Sequence, residues 1–387
     1  MRRFQLIHNI TSPYRMHLFE VMWRELQRRD IELHVEFLTR AATHRPKSWQ
    51  ADSSSIQFPH SFSTDIGPRY KGVKWHFNPA INAKLAVKKY DYLLVGGPWA
   101  TITAGLGTVF NRADRTIAWI EGTSSHTNSF SGKKRRIKRY LLNKYDYVAV
   151  PGEEGTKFIH RILDPTGPNS PEIVALPNIV SEAKFNPGPV DGEQRAWLRQ
   201  KLGIPPESRI AIWPARHVAE GYVDKGVPEF LLNLNPDKFG DWKILLAGDG
   251  PERPRVEQAI AQRKLQDSVI LHPVVTPDEM PDIYRGSDLF LLPSLLDPNP
   301  LSTIEALKCG LPILVSNRIG NYPEALRIGV NGWGFDPYEP SQVDTAVTSA
   351  FSASADTLQA MGLESLKIAA NNWDSETIVA QFLDQVL

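Results

Sequence analysis

The 387-residue chain contains one cysteine, Cys309. No internal disulfide can form, and a reducing compartment is expected. No apolar run reaches the ~20 residues that cross a bilayer, and the N-terminus lacks a signal-type apolar stretch. The expectation is a cytoplasmic protein, peripheral at most on the inner face of the cytoplasmic membrane. One Cys and scattered His give no zinc pattern. No Gly-x-x-x-x-Gly-Lys-Ser/Thr and no Gly-x-Ser-x-Gly occurs, which argues against a P-loop and a hydrolase nucleophile elbow. Val95-Gly96-Gly97-Pro98-Trp99, with Gly105 and Gly107 after it, leaves a strand for a helix. Its spacing is not Gly-x-Gly-x-x-Gly and no acid ends a next strand at the right distance, so these glycines read as turn residues and not as a dehydrogenase fingerprint. No cofactor is implied.

Charge is balanced overall, at +1, but segregated. Residues 1–180 hold 26 Lys and Arg against 15 Asp and Glu, net +11, whereas residues 181–387 hold 18 against 28, net −10. The bases are densest from Lys133 to Arg139, where Ile137, Tyr140, Leu141 and Tyr145 share a face at helical spacing. Two readings stay open: a basic amphipathic helix on an anionic membrane surface, or a surface helix with solvated charges. No RNP-type motif or helix-turn-helix accompanies the bases, so nucleic acid is not implied.

Composition is globular, 42% hydrophobic and 22% charged, and the length exceeds one ordinary core. Short β-branched runs alternate with helical stretches: Phe4–Ile7, Leu33–Leu38, Tyr92–Val95, Thr116–Ile120, Tyr147–Val150 and Ile173–Ala175, then Ile210–Trp213, Lys243–Ala247, Val269–His272, Leu289–Leu292 and Ile313–Val315. Continuous apolar strands between helices indicate an α/β chain with doubly wound parallel sheets, and the pattern occurs twice. The stretch from Pro177 to Pro206 holds no strand-length apolar run, which places a linker near Asn178–Gly188. The expected division is 1–180, 181–372, and a terminal helix over 373–387 that starts at Asp374 or Ser375 and crosses back to the first domain. Ligands of open α/β sheets sit at the carboxyl ends of strands, so two facing domains would define a cleft.

The richest segment runs from Pro293 to Pro312. An apolar strand leads into a loop with Asp297 at its tip, a helix starts near Leu301, and Glu305 follows with seven residues between the two acids. A helix N-terminus offers free N–H groups to an anion. Carboxylates suit hydroxyls, so phosphate and polyol together suggest a nucleotide sugar. Ser302-Thr303-Ile304-Glu305 also fits a capping box, and local pattern alone does not separate the two.

Other strand ends add candidates. Arg216, after Ile210–Trp213, and Lys225 flank a loop and could both reach a diphosphate, or be plain surface cations. Gly248-Asp249-Gly250-Pro251 permits a sharp turn and a close approach by a ligand, and a plain strand–helix turn would look the same. Ser12 and Pro13 suit the start of a helix whose buried face is Met16, Phe19, Met22, Trp23 and Leu26. Glu121 and His126, after Thr116–Ile120, are the polar groups most apt to point into a cleft.

Pro293-Ser294, Asp297, Glu305-Ala306, Gly310-Leu311-Pro312, Pro323-Glu324-Ala325, the Gly248 turn, Arg216, Lys225-Gly226 and Leu176-Pro177-Asn178-Ile179 together resemble the retaining glycosyltransferases of family 4 (GT-B fold). The resemblance is strongest from Ile210 to Leu326. Ser12-Pro13-Tyr14-Arg15 is similar to a subgroup that builds polysaccharides and glycolipids. The resemblance implies two facing Rossmann-like domains, with the acceptor, a glycan or lipid-linked sugar, on the first. Arg216 and Lys225 would hold the donor diphosphate, with UDP the expected base, and Glu305 the ribose. Asp297, with amides near Asn299, Leu301 and Ser302, would hold the sugar and its phosphate, and backbone at Pro273–Val274 would meet the base. Glu121 stands about where many members carry a catalytic His, with His126 the nearest imidazole. The chain departs from the family in Asp297 for Glu, in Pro300 for Gly, and in a longer Arg216–Lys225 loop. It also lacks the Asp-x-Asp clamp of metal-dependent sugar transferases, so no metal is implied. A sugar-nucleotide 2-epimerase and a non-catalytic nucleotide-binding scaffold share the fold and remain alternatives.

Overall fold

The computed structural model describes residues 1–40, 56–70, 73–123, 132–163, 170–185, 192–217, 219–220, 223–272 and 275–387. Two sequence candidates, His126 and Val274, lie outside them. The chain divides into two compact units, Met1–Ile179 with Ser375–Leu387, and Val180–Asp374. Each is a helix-flanked parallel sheet.

In the first unit the chain runs β1 (Arg2–His8), α1 (Pro13–Arg28), β2 (Ile31–Phe37) and β3 (His60–Phe62), then a small hairpin, β4 (Arg69–Tyr70) and β5 (Val73–Lys74). It continues through α2 (Pro79–Val87), β6 (Tyr90–Gly96), α3 (Ile102–Val109), β7 (Ala113–Trp119), α4 (Gly132–Leu142), β8 (Tyr147–Val150), α5 (Glu153–Ile162) and β9 (Glu172–Ala175). The parallel sheet has the order β3-β2-β1-β6-β7-β8-β9. Its central strands are buried over Phe4–Ile7, Tyr92–Gly96 and Thr116–Trp119, where helices cover both faces. Leu6, Leu33, Val35, Leu94 and Ile117 are essentially inaccessible.

Helix α1 starts with Pro13, whose missing N–H costs nothing in a first turn. Ser12 occupies the N-cap position, but its side chain makes no capping bond. The buried face of α1 holds Arg15 besides Leu18, Phe19, Val21, Met22 and Leu26. Met16 and Trp23, read from the sequence as buried, are only partly so and pack at the margin.

The chain's last helix, α15 (Ser375–Val386), is part of this first unit. Val379, Phe382, Leu383 and Val386 are fully buried in its core. Polar ties fix it as well: His17 Nε2 meets Ser375 Oγ at 3.1 Å, Arg29 pairs with Asp384 at 2.7 Å, and Arg115 donates to the Val386 carbonyl at 3.2 Å.

The second unit runs α6 (Glu182–Phe185), α7 (Gly192–Leu202), β10 (Arg209–Pro214), β11 (Ala219–Glu220), β12 (Val223–Asp224), α8 (Val227–Asn233), β13 (Trp242–Ala247), α9 (Arg253–Arg263) and β14 (Val269–His272). It continues with α10 (Met280–Gly286), β15 (Leu289–Leu292), α11 (Leu301–Lys308), β16 (Ile313–Ser316), α12 (Tyr322–Ala325), β17 (Gly332–Phe335), α13 (Pro340–Phe351) and α14 (Ala355–Trp373). The six-stranded order is β14-β13-β10-β15-β16-β17. Ile212 of β10 pairs with Leu245 on one side and Phe290 on the other. The strand order therefore reverses beside β10, and the loops leaving β10 and β15 meet at that switch point, where open α/β sheets take ligands. The expected linker region contains the short helix α6, pinned by Lys308, whose ammonium meets Glu182 and the Val180 carbonyl.

Phe382→Ala should destabilise the first unit by about 3 kcal/mol, the usual cost of emptying a buried phenyl site. Chemical denaturation followed by tryptophan fluorescence measures this. A change within experimental error would mean that α15 is not part of the core.

Candidate functional site

Three loops leave neighbouring parallel strands of the second unit at their carboxyl ends. The first is Ala215–His217 after β10, the second Gly248–Pro251 after β13, and the third Pro293–Pro300 after β15. The Gly248 turn has a structural reason for its composition. A Cβ on Gly248 (φ +149°) would lie 2.0 Å from the Ala215 carbonyl oxygen, and one on Gly250 would lie 2.4 Å from that of His217. The close approach needing these glycines is thus made by the chain's own backbone, as in a plain strand–helix turn.

Asp224 ties the β11–β12 hairpin to the third loop. Its N–H donates to Leu296 O at 2.8 Å, and Leu296 N–H returns a bond of 3.0 Å. This register sets Lys225 against Asp297, and the two side chains form an ion pair. Both are largely out of water, at 12% and 8% exposure. Asp297 is also held through its backbone, where Gly320 N–H donates to its carbonyl at 2.8 Å. Arg216 stands exposed at the end of β10, and none of the described acids pairs with it.

Helix α11 opens at Leu301, with Pro300 in the N-cap position and no side-chain cap. The capping box is not formed: Ser302 lies inside the first turn, and Glu305 bonds elsewhere. The amides of Leu301 and Ser302 have no carbonyl one turn back within the helix. Asn321 Nδ2 donates to the Pro300 carbonyl at 3.0 Å and steadies this start. Around the same mouth, Ser294 Oγ, Asn299 Nδ2, Thr303 Oγ1 and Asn321 Oδ1 are buried with no hydrogen-bond partner. Buried polar atoms are nearly always paired, so a cluster of unpaired ones marks a place where a polar ligand or water completes the bonding.

Glu305, one turn inside α11, accepts a hydrogen bond of 2.8 Å from the Tyr284 hydroxyl on α10. Burial pushes its carboxyl up to about 7, opposed by the Tyr284 bond and by the charge of Lys184. Sequence reading missed Tyr284, because no local pattern marks a tyrosine that reaches a carboxylate through tertiary packing. It also passed over His217, which is fully buried with neither ring nitrogen bonded and whose basicity burial lowers.

Of the first-unit candidates, Glu121 is described and its carboxylate is fully engaged. One oxygen pairs with Arg15 at 2.5 Å, and the other accepts from Asn178 at 2.8 Å. Arg15 also donates to Asn178 at 2.7 Å and lies 3.9 Å from the centre of the Trp119 ring. These contacts join the Ser-Pro-Tyr-Arg and Leu-Pro-Asn-Ile segments in one cluster.

Helix α4 differs from its sequence pattern. Leu141, Leu142 and Tyr145 are buried, whereas Ile137 and Tyr140 are 58% and 54% exposed. The inner face is completed by Lys138, whose ammonium lies 4.8 Å from the Trp99 ring centre and 5.6 Å from that of Phe158. Lys138 thus takes a place that helical periodicity assigns to Ile137, as the snorkelling of long cationic stems allows. Ile137 and Tyr140 are left outside with Lys133, Lys134 and Arg136, which are exposed. Among the described residues no helix is long and apolar enough to cross a membrane.

Residues 194–364 match the family model described as glycosyl transferases group 1. The D-inositol 3-phosphate glycosyltransferase of Acidothermus cellulolyticus is 26% identical over 221 residues, 54% of this chain and 48% of that protein. The alpha-monoglucosyldiacylglycerol synthase of Streptococcus pneumoniae is 28% identical over 140 residues, 36% of this chain and 31% of that protein. The chain thus spans half or less of the length of these curated relatives. Among solved structures, Anabaena HepE in complex with UDP and glucose matches with a TM-score of 0.74 at 17% identity, covering 100% of this chain and 99% of that one. Sucrose-phosphate synthase from Thermosynechococcus elongatus matches at 0.72 and 14% identity, covering 100% and 98%. The fold is therefore that of the GT-B glycosyltransferases, with two Rossmann-like parallel-sheet units. The second unit carries the sequence pattern of group 1 glycosyl transferases.

Because the carboxyl of Glu305 sits above its ordinary 4.5 in the folded chain, its proton stabilises the fold. That contribution is complete below the ordinary value and is lost as pH rises through about 7. Glu305→Gln keeps the neutral form at every pH. The variant should melt like the parent at about pH 5 and above it at about pH 8. Thermal melts at both pH values check this, and an equal difference at both contradicts it.

Proposed function

We propose that this chain is a retaining glycosyltransferase of family 4. It would move a sugar from a nucleoside-diphosphate sugar, with UDP as the base, to a glycan or lipid-linked acceptor in polysaccharide or glycolipid synthesis. One observation carries the proposal: the largely buried Lys225–Asp297 pair sits at the loop that runs into α11, and Asn299 and Thr303, at the start of that helix, carry buried polar atoms without partners. Lys225 and Arg216 supply the cations for the diphosphate, and the Leu301 and Ser302 amides supply dipoles. Pro300 gives no N–H, so the phosphate contact starts one residue later, at Leu301. Asp297 accepts from hydroxyls of the transferred sugar, Asn299 lies beside it, and Glu305 accepts from the ribose. Backbone at Val274 is assigned to the base.

The leaving group is a diphosphate whose charge grows as its bond to the anomeric carbon breaks. Fixed cations and amides stabilise that charge without a metal. The acceptor oxygen attacks the anomeric carbon from the face that the diphosphate leaves. Its proton passes to the departing phosphate oxygen, so configuration is retained with no protein nucleophile. In this scheme the first unit binds the acceptor. Glu121 orders Arg15 and Asn178 there, and His126 is the nearest histidine to it in the sequence.

A second feature concerns the partner surface. The outer face of α4 combines exposed cations with two exposed apolar side chains, which suits the inner, anionic face of the cytoplasmic membrane. Reversing Lys133, Lys134 and Arg136 to Glu should cut binding to vesicles containing phosphatidylglycerol. Each cation lost should cost roughly 1 kcal/mol. Unchanged sedimentation with the vesicles would overturn this assignment.

The donor assignment is tested with Asp297→Asn. Leaving Lys225 buried without its acid should cost about 3 kcal/mol of stability. UDP should then raise the melting temperature of the variant more than that of the parent, while sugar transfer falls at least about tenfold with loss of the hydroxyl acceptor. No stabilisation of either protein by UDP, GDP, ADP or dTDP sugars would favour the scaffold alternative. A new sugar nucleotide formed without acceptor would favour the 2-epimerase.

A further inference from the structure

The donor reading assigns Glu305 but leaves its partner without a role. Tyr284 is completely buried on α10, which packs against α11. Its ring is set edge-on to Phe185 at 6.2 Å and tilted against Phe290 at 6.3 Å. A ring so confined cannot follow a moving side chain, and its hydroxyl has one proton to donate. That proton goes to Glu305 Oε2 at 2.8 Å. One carboxylate oxygen is therefore committed within the protein and the other, Oε1, is left.

We propose that Tyr284 is a positioning residue for the donor: its hydroxyl fixes the Glu305 carboxylate and presents Oε1 as the acceptor for a ribose hydroxyl. This rests on the donor reading above. A carboxylate held by one donor has fewer orientations to lose when ligand arrives, so less affinity is spent on ordering. The same bond stabilises the charged form, which is the form able to accept from a hydroxyl.

Few charges reach this carboxylate from the elements packed on α11. Helix α6 brings Lys184, which pairs with Asp278 at 2.6 Å, and Glu182, which is held by Lys308. Helix α10 brings Asp282 and Arg285 beside Tyr284, α12 brings Glu324, and Cys309 follows α11. On α14, Glu364 and Lys367 pair with each other at 2.7 Å, and Asp356 stands in its first turn. Strands β15 and β16 carry no ionisable side chain. Of all these groups, Tyr284 and Lys184 act on Glu305, and both favour its charged form. Burial opposes them, which leaves the carboxyl poised at about 7. Removing the Tyr284 hydroxyl must therefore shift the titration upward.

The experiment is calorimetric titration with UDP-glucose, whose doubly esterified diphosphate does not titrate near neutrality. Parent, Tyr284→Phe and Glu305→Gln are compared from about pH 6 to about pH 9. Parent affinity should rise about tenfold across the range, as Glu305 ionises. Tyr284→Phe should bind several-fold more weakly near neutrality, and the deficit should shrink toward the alkaline end without vanishing, because the unheld carboxylate must still be ordered. A curve that coincides with the parent's, or lies below it by the same factor at every pH, overturns the proposal. Parent affinity that is flat with pH overturns it too, whether or not the variant folds. Glu305→Gln that binds as tightly as the parent overturns the donor reading itself, and this inference with it. If Glu305→Gln loses binding while Tyr284→Phe titrates like the parent, only the role of Tyr284 is lost.

Discussion

The ion pair between Lys225 and Asp297, 72 residues apart, is the contact on which the proposed site depends. Two largely buried charges lose much of their hydration, and their attraction offsets that loss only when the geometry is held from outside. Here it is held on two sides. The backbone pairing of Asp224 with Leu296 fixes the lysine's approach, and Gly320 fixes the carbonyl of Asp297. In the proposed function the pair would keep a cation for phosphate beside an acid for hydroxyls, each neutralised by the other until a ligand offers both chemistries. The amides of α11 lie directly downstream of Asp297 in the chain, so the same loop delivers charge and dipole to one place.

The first unit solves a similar problem with different parts. Arg15 is buried on a helix face otherwise given to hydrophobic side chains, and its charge is met by Glu121, Asn178 and the face of Trp119. The cluster gathers a helix start, the segment after β7 and the segment before the second unit. Its cost in desolvation is balanced by tying together three stretches with no local reason to meet. Glu121 is spent on this task, so any further part in chemistry would require Arg15 and Asn178 to release it.

The architecture was legible from the sequence because buried parallel strands announce themselves as continuous apolar runs. The runs over Leu289–Leu292 and Ile313–Val315 needed no tertiary information. The Asp297–Glu305 unit was legible for a related reason: strand, loop and helix are consecutive in the chain. The pairing of Lys225 with Asp297 was not legible as a contact, since it depends on the register between a hairpin and a distant loop. Tyr284 was hidden because it looks like any aromatic core residue until α10 is docked on α11. The face of α4 was misread by one position, because a lysine stem lying on Trp99 and Phe158 can fill a place that hydrophobicity alone gives to isoleucine. Ser302 and Glu305 matched a capping box in pattern, but the helix begins one residue before Ser302, and the glutamate is drawn to Tyr284 instead.

The most direct measurement is a crystal structure of the chain with UDP-glucose bound. The account requires the diphosphate at the Leu301 and Ser302 amides and within reach of Lys225, with the ribose hydroxyls on Glu305 and the glucose beside Asp297. Density for the nucleotide elsewhere on the second unit, with the Lys225–Asp297 pair and the mouth of α11 untouched, would contradict it.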